Sequence, residues 1–139
     1  MPSRTKTTVA AFDPEKMFFG LNGKGGVAQL PVGPDFWATL DENPAARGTL
    51  ITVGESDRDW PHWEMHPKGD EVVYVLEGGA TIVLETTSGE KRLRVKAGQV
   101  FVNPAGVWHR ALVPKRCRML FVTYGEGTKH KPVVKGVRR

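Results

Sequence analysis

Trp60-Pro61-His62-Trp63-Glu64-Met65-His66-Pro67-Lys68-Gly69-Asp70-Glu71-Val72-Val73-Tyr74-Val75-Leu76-Glu77-Gly78 is the stretch on which the reading of this chain turns. Pro61 to His66 is short and ends at a Pro-Lys-Gly-Asp sequence with the chemistry of a turn. On a strand, residues two apart face the same way and lie about 6.6 Å apart, so Glu64 and His66 can converge on one point. The turn then reverses the chain and returns Glu71, at the head of the next strand, beside them. His62 shares their face but lies about 13 Å from His66 along an extended strand, too far for both to touch one ion, and belongs at the rim. Asp70 competes with Glu71, because the same turn can present either carboxylate.

The pattern continues outward from this stretch. From Gly48 onward, β-rich runs alternate with turn residues: Thr49 to Val53, Pro61 to His66, Glu71 to Glu77, Ala80 to Thr86, Lys91 to Val95, Val100 to Asn103, Val107 to Val113 and Arg118 to Tyr124. Turns are expected at Gly78-Gly79, Ser88-Gly89, Ala97-Gly98, Pro104-Ala105-Gly106 and Pro114-Lys115. Short strands at this spacing indicate an all-β barrel or sandwich. In Lys91 to Lys96, Leu93 and Val95 share an apolar face and Arg92, Arg94 and Lys96 a solvated one. In Glu71 to Glu77 both faces are apolar, since Val72, Tyr74 and Leu76 oppose Val73 and Val75, so that strand needs cover on both sides. The N-terminal segment or a second subunit would supply it, and a homodimer to which both contribute is expected. Residues 1–47 read as an irregular arm with one or two short strands, residues 48–125 as the barrel, and residues 126–139 as a basic tail.

His109 follows the Pro104-Ala105-Gly106 turn and opens a strand on which Ala111 shares its face. A barrel gives Glu64, His66, Glu71 and His109 a common interior, where buried polar groups are costly unless a cation satisfies them. Each histidine alone would more often be a hydrogen-bonded core residue; jointly with Glu71 they read as metal ligands. Trp60 is expected near the pocket mouth, while Trp63 and Trp108 flank inward residues and should point outward. Cys117, between Arg116 and Arg118, is either reactive or a quiet buried thiol.

Two spacings carry a family resemblance. Glu64, His66, Glu71 and Gly78 form E-x-H-x4-E-x6-G, and Gly98, Pro104, Gly106 and His109 form G-x5-P-x-G-x2-H. In that order, joined by a hairpin-like stretch, they resemble the two motifs of the cupin superfamily over roughly Gly48 to Tyr124. The resemblance implies a double-stranded β-helix, or jelly-roll, with one divalent metal ion (Fe, Mn, Ni or Zn) held by Glu64, His66, Glu71 and His109. It also favours Glu71 over Asp70, through the spacing to Gly78. Glu64 stands where the family usually has its first histidine, Arg58 where the first motif usually opens with glycine, and Val113 where the second often ends in asparagine. If Glu64 does not bind, two histidines and one carboxylate leave open positions suited to non-haem iron(II). If it does, the site is harder and more anionic. A third role for Glu64 is general acid or base, with His62 as a second candidate for proton transfer.

Composition bounds the rest. The 139 residues suit one domain, and sixteen glycines with ten prolines imply many turns rather than long helices. The single cysteine excludes an intrachain disulfide and a cysteine-based zinc cluster. The first ten residues lack the apolar stretch of a secretory signal, and no run approaches the roughly 18 apolar residues of a membrane span, so a cytoplasmic protein without membrane contact is expected. The net charge of +5 falls on Lys129, Lys131, Lys135, Arg138 and Arg139, a pattern usual for a solvated end. No nucleic-acid partner is expected, because the strands show no interleaved stacking platform. The resemblance implies a metal-dependent enzyme on a small organic molecule, dioxygenase-like or an isomerase or lyase. The alternative is a non-catalytic small-molecule-binding or sensor cupin module.

Overall fold

The structure, a computed structural model, describes residues 7–134. Lys135, Arg138 and Arg139, to which the tail reading assigns charge, lie outside that range. The described residues form ten strands: β1 (Met17–Leu21), β2 (Val27–Pro31), β3 (Thr49–Ser56), β4 (His62–Met65), β5 (Glu71–Thr86), β6 (Gly89–Lys96), β7 (Val100–Asn103), β8 (His109–Leu112), β9 (Cys117–Tyr124) and β10 (Lys129–Pro132). Two 3-10 turns, Leu40–Glu42 and Pro44–Ala46, precede β3. All pairings are antiparallel, and β5 is shared by both walls of the barrel. One wall runs β2-β1-β3-β9-β5-β7 and the other β10-β4-β8-β5-β6, which gives the all-β jelly-roll expected from the sequence.

The expected turn at Gly78-Gly79 is absent. β5 continues through it, and the pairing with β9 slips between Val75 and Glu77. Gly78 has φ +74°, and a Cβ there would collide with the Arg116 carbonyl, so only glycine fits. The alternation slips with the register: Val73 and Val75 are buried before the bulge, Ala80, Ile82 and Leu84 after it. A bulge, not a reversal, therefore carries the strand from one wall to the other.

Between the walls, Val73, Val75, Ile82, Phe101, Ala111, Val113, Cys117 and Met119 pack as a closed core. Burial pushes the Cys117 thiol pKa up, so it is the quiet thiol of the two readings. The N-terminal arm adds the β1-β2 hairpin to β3 and builds a second small core of Phe18, Leu30, Ala46 and Leu50. Val95 is buried as expected, but Leu93 on the same face is 37% exposed. Lys129–Pro132, which the charge pattern assigns to a solvated end, pairs with β4 as β10. No helix among the described residues is long and apolar enough to cross a membrane.

Candidate metal centre

The centre lies where four chain segments meet between the walls. β4 aims Glu64 inward, and His66 follows directly after the strand. Pro67 to Asp70 turns the chain, and Glu71 opens β5. β8 starts at His109, opposite Glu64 in the register. Each of these four side chains offers one donor atom, and the four atoms lie within 4.8 Å of one another. Nε2 of His66 is 3.2 Å from Glu64 Oε1 and 3.2 Å from Glu71 Oε2; Nε2 of His109 is 3.4 Å from Glu64 Oε1 and 3.5 Å from Glu71 Oε1. Asp70 is turned away, its Oδ1 accepting from the Ala105 backbone N–H at 2.8 Å, so the turn presents Glu71 to the centre.

The opposite ring nitrogens are held from behind. His66 Nδ1 lies 2.8 Å from Thr128 Oγ1, and the Thr128 hydroxyl donates its own proton to the Gly125 carbonyl at 2.8 Å. Thr128 must then accept from His66 Nδ1–H, and the neutral ring keeps a lone pair on Nε2, the form that binds a metal. His109 Nδ1 faces the Val107 carbonyl at 3.4 Å, which favours the same tautomer. Glu71, 2% exposed, accepts from Asn103 Nδ2 at 3.0 Å and from the Thr123 hydroxyl. Asn103 and Thr123 sit opposite Glu71 on β7 and β9, so the strand register delivers both.

The electrostatics follow from this packing. Burial opposes the charged form of Glu64, but the ring nitrogens of His109 and His66, within 3.4 Å of its Oε1, and the positive charge they can carry outweigh it and hold the carboxyl well below the usual range. Burial likewise opposes protonation of His66, yet the carboxylates of Glu64 and Glu71 prevail and push its pKa up to about 9. A fixed positive charge is therefore favoured between the two carboxylates.

Several expected residues lie at the edge. His62 is exposed at the rim, its ring 5.2 Å from that of His130. Trp60 is half-buried, edge-on to His109 at 6.3 Å, and its indole N–H donates to Ser56 Oγ. Trp63, expected to point outward, is buried at 7% exposure, and Trp108 is half-buried; Lys131 Nζ covers both, 5.7 Å and 4.5 Å from their ring centroids. Two clefts of about 290 and 490 Å³ lie beside the N-terminal arm, away from the four donors. Sequence reasoning missed Asn103, Thr123, Thr128 and His130. The first two carried a signal, because each shares the inward parity of its strand. Thr128 and His130 carried none, since the tail has no apolar alternation.

The fold and the site together define a β-barrel domain with a histidine–glutamate cluster able to hold a metal ion. Residues 49–123 match the cupin domain family over more than half of the chain, and the chain belongs to that family. No curated protein is matched by the sequence. Among solved structures it is similar to a cupin-2 domain containing protein from Shewanella frigidimarina, with 22% identity, 55% of this chain and 70% of that chain covered, and a TM-score of 0.48. A conserved protein of unknown function from Streptococcus pyogenes is 30% identical, with 54% and 62% covered and a TM-score of 0.46. An oxalate oxidase in complex with the substrate analogue glycolate is 18% identical over 63% of this chain and 47% of that chain, with a TM-score of 0.51. This last likeness is one of fold.

Proposed function

We propose that this cupin holds one divalent metal ion through His66, Glu71, His109 and Glu64 and acts as a metal-dependent enzyme on a small organic molecule. The observation that carries the reading is Nε2 of His66, a buried nitrogen without a hydrogen-bond partner, aimed between two carboxylates. Buried polar atoms are rarely left unpaired, and a cation at this point answers the nitrogen and both carboxylates together. Two imidazoles and two carboxylates suit Mn, Fe, Ni or Zn. Such an ion, when bound, supplies Lewis acidity to a substrate oxygen or to water, and one-electron chemistry if it is iron or manganese.

The chain's own residues supply the rest. Both oxygens of Glu64 are engaged, Oε1 towards the two histidines and Oε2 towards His130 at 3.0 Å, which favours ligation over proton transfer. Glu64 is also the open side of the centre, with 26% of its side chain exposed against 2% for Glu71. A substrate approaches past it, where the exposed His62 can exchange protons with it. Trp60 packs beside His109 and helps keep water from that flank.

Metal analysis of protein purified without added metal is expected to find a stoichiometric divalent ion, lost in His66→Ala, Glu71→Ala and His109→Ala. An oxygen-uptake screen over small organic acids and alcohols follows if iron or manganese dominates, and chelation should abolish any turnover found. Protein that takes up no divalent ion would sink the reading. Protein that binds metal and a small molecule but never turns it over would be a binding or sensor cupin.

A further inference from the structure

The C-terminal strand does more than close one edge of the barrel. β10 runs antiparallel to β4 in a register that sets His130 opposite Glu64. His130 Nε2 lies 3.0 Å from Glu64 Oε2, the oxygen turned away from the two ligand histidines. An ionised carboxylate only accepts, so His130 donates. Resting on the metal reading above, we propose that His130 is the positioning residue for Glu64, and that β10 is by this route part of the metal centre.

The need for such a residue follows from the geometry of Glu64. Glu71 is locked by Asn103 and Thr123 and is almost fully buried. Glu64 has no comparable support from the barrel walls: among the described residues its one partner besides the centre is His130. A half-open glutamate has rotamers that carry its carboxylate out to water, and choosing one of them costs conformational entropy. A donor on Oε2 selects the rotamer that leaves Oε1 at the centre, the task that outer partners perform for ligating groups generally. The strand itself is anchored independently, since Lys131 bonds Glu85 at 2.8 Å and lies over Trp108. His130 is thus delivered by a rigid element rather than a loose end.

The test is a double-mutant cycle read by metal affinity, using zinc(II) in competition with a chromophoric chelator. His130→Ala is expected to weaken zinc binding by about 10- to 100-fold. His130→Gln, whose amide N–H reaches a similar position to Nε2–H, should restore most of that loss. In a Glu64→Ala background, His130→Ala should have no further effect, because the residue acts only through Glu64. An unchanged affinity for His130→Ala, or an equal loss with and without Glu64, overturns the inference while leaving the metal reading intact. If the wild-type chain binds no zinc, the metal reading fails and this inference falls with it.

Discussion

Thr128 shows how much a single hydroxyl decides. Its proton is spent on the Gly125 carbonyl, so it can only accept from His66, and Nε2 of His66 is left bare. Thr128→Val keeps the shape and removes the acceptor, and should lower zinc affinity by roughly 10-fold with little change in fold, measured by the same chelator competition. In metal-free protein the bare nitrogen takes a proton instead. The folded pKa of His66, about 9, lies above the value of about 6.5 expected when unfolded. The stability gained is complete below the unfolded pKa and is lost as pH rises through the folded one. Chelator-treated protein should therefore show a falling urea midpoint between about pH 6.5 and 9, and His66→Gln should flatten that decline. A midpoint that rose over this window would contradict the charge arrangement. Of the site residues, His66, Glu71 and His109 were legible because His66 and Glu71 flank one turn, His109 follows another, and each keeps strand parity. Glu64 was legible as a position, whereas the partners of its two oxygens follow from strand register and were not.

At the scale of elements, β5 carries the lesson. Gly78-Gly79 has the composition of a turn, and local chemistry alone favours one. The extended pairing with β9, β7, β8 and β6 absorbs both glycines into a continuous strand and uses Gly78 for its left-handed φ. Gly78→Ala is expected to cost more than about 1 kcal/mol in denaturant unfolding, because the new Cβ meets the Arg116 carbonyl and φ is unfavourable. A neutral result would mean that the bulge is not strained in this way. β10 is the converse case. Lys129, His130, Lys131 and Pro132 have no strand alternation of their own, and what holds them is the backbone pairing with β4 together with Lys131 on Glu85 and Trp108. Leu93 departs for a related reason: it has the inward parity of Val95, but β6 is a wall's outermost strand and leaves it half-covered.

For the whole molecule, the expected cover over β5 is incomplete within one chain. The N-terminal arm reaches the wall at β9, where Arg118 bonds Glu15, but Val72, Tyr74, Val100 and Val102 remain 40 to 58% exposed. They form one patch, because Val72 pairs with Val102 and Tyr74 with Val100. β7 is also the last strand of its wall, with one edge unpaired among the described residues. We propose that a second copy covers this face, since an edge strand beside an apolar patch is self-complementary about a two-fold axis. Sedimentation should find a dimer for the wild type and a monomer for Val100→Asp, with metal content unchanged; a wild-type monomer at high concentration would refute it. The sequence by itself determined the all-β class, most strand positions and the four side chains that converge between the walls, because strand alternation and turn chemistry are local and period-two patterns survive in any all-β packing. Tertiary structure alone decided that Gly78 bends rather than turns, that Oε1 and Oε2 of Glu64 face different partners, and that a basic tail brings Thr128 and His130 to the centre. Those outcomes depend on register between strands distant in sequence, such as the pairing that sets His130 opposite Glu64, and no local pattern specifies such a register.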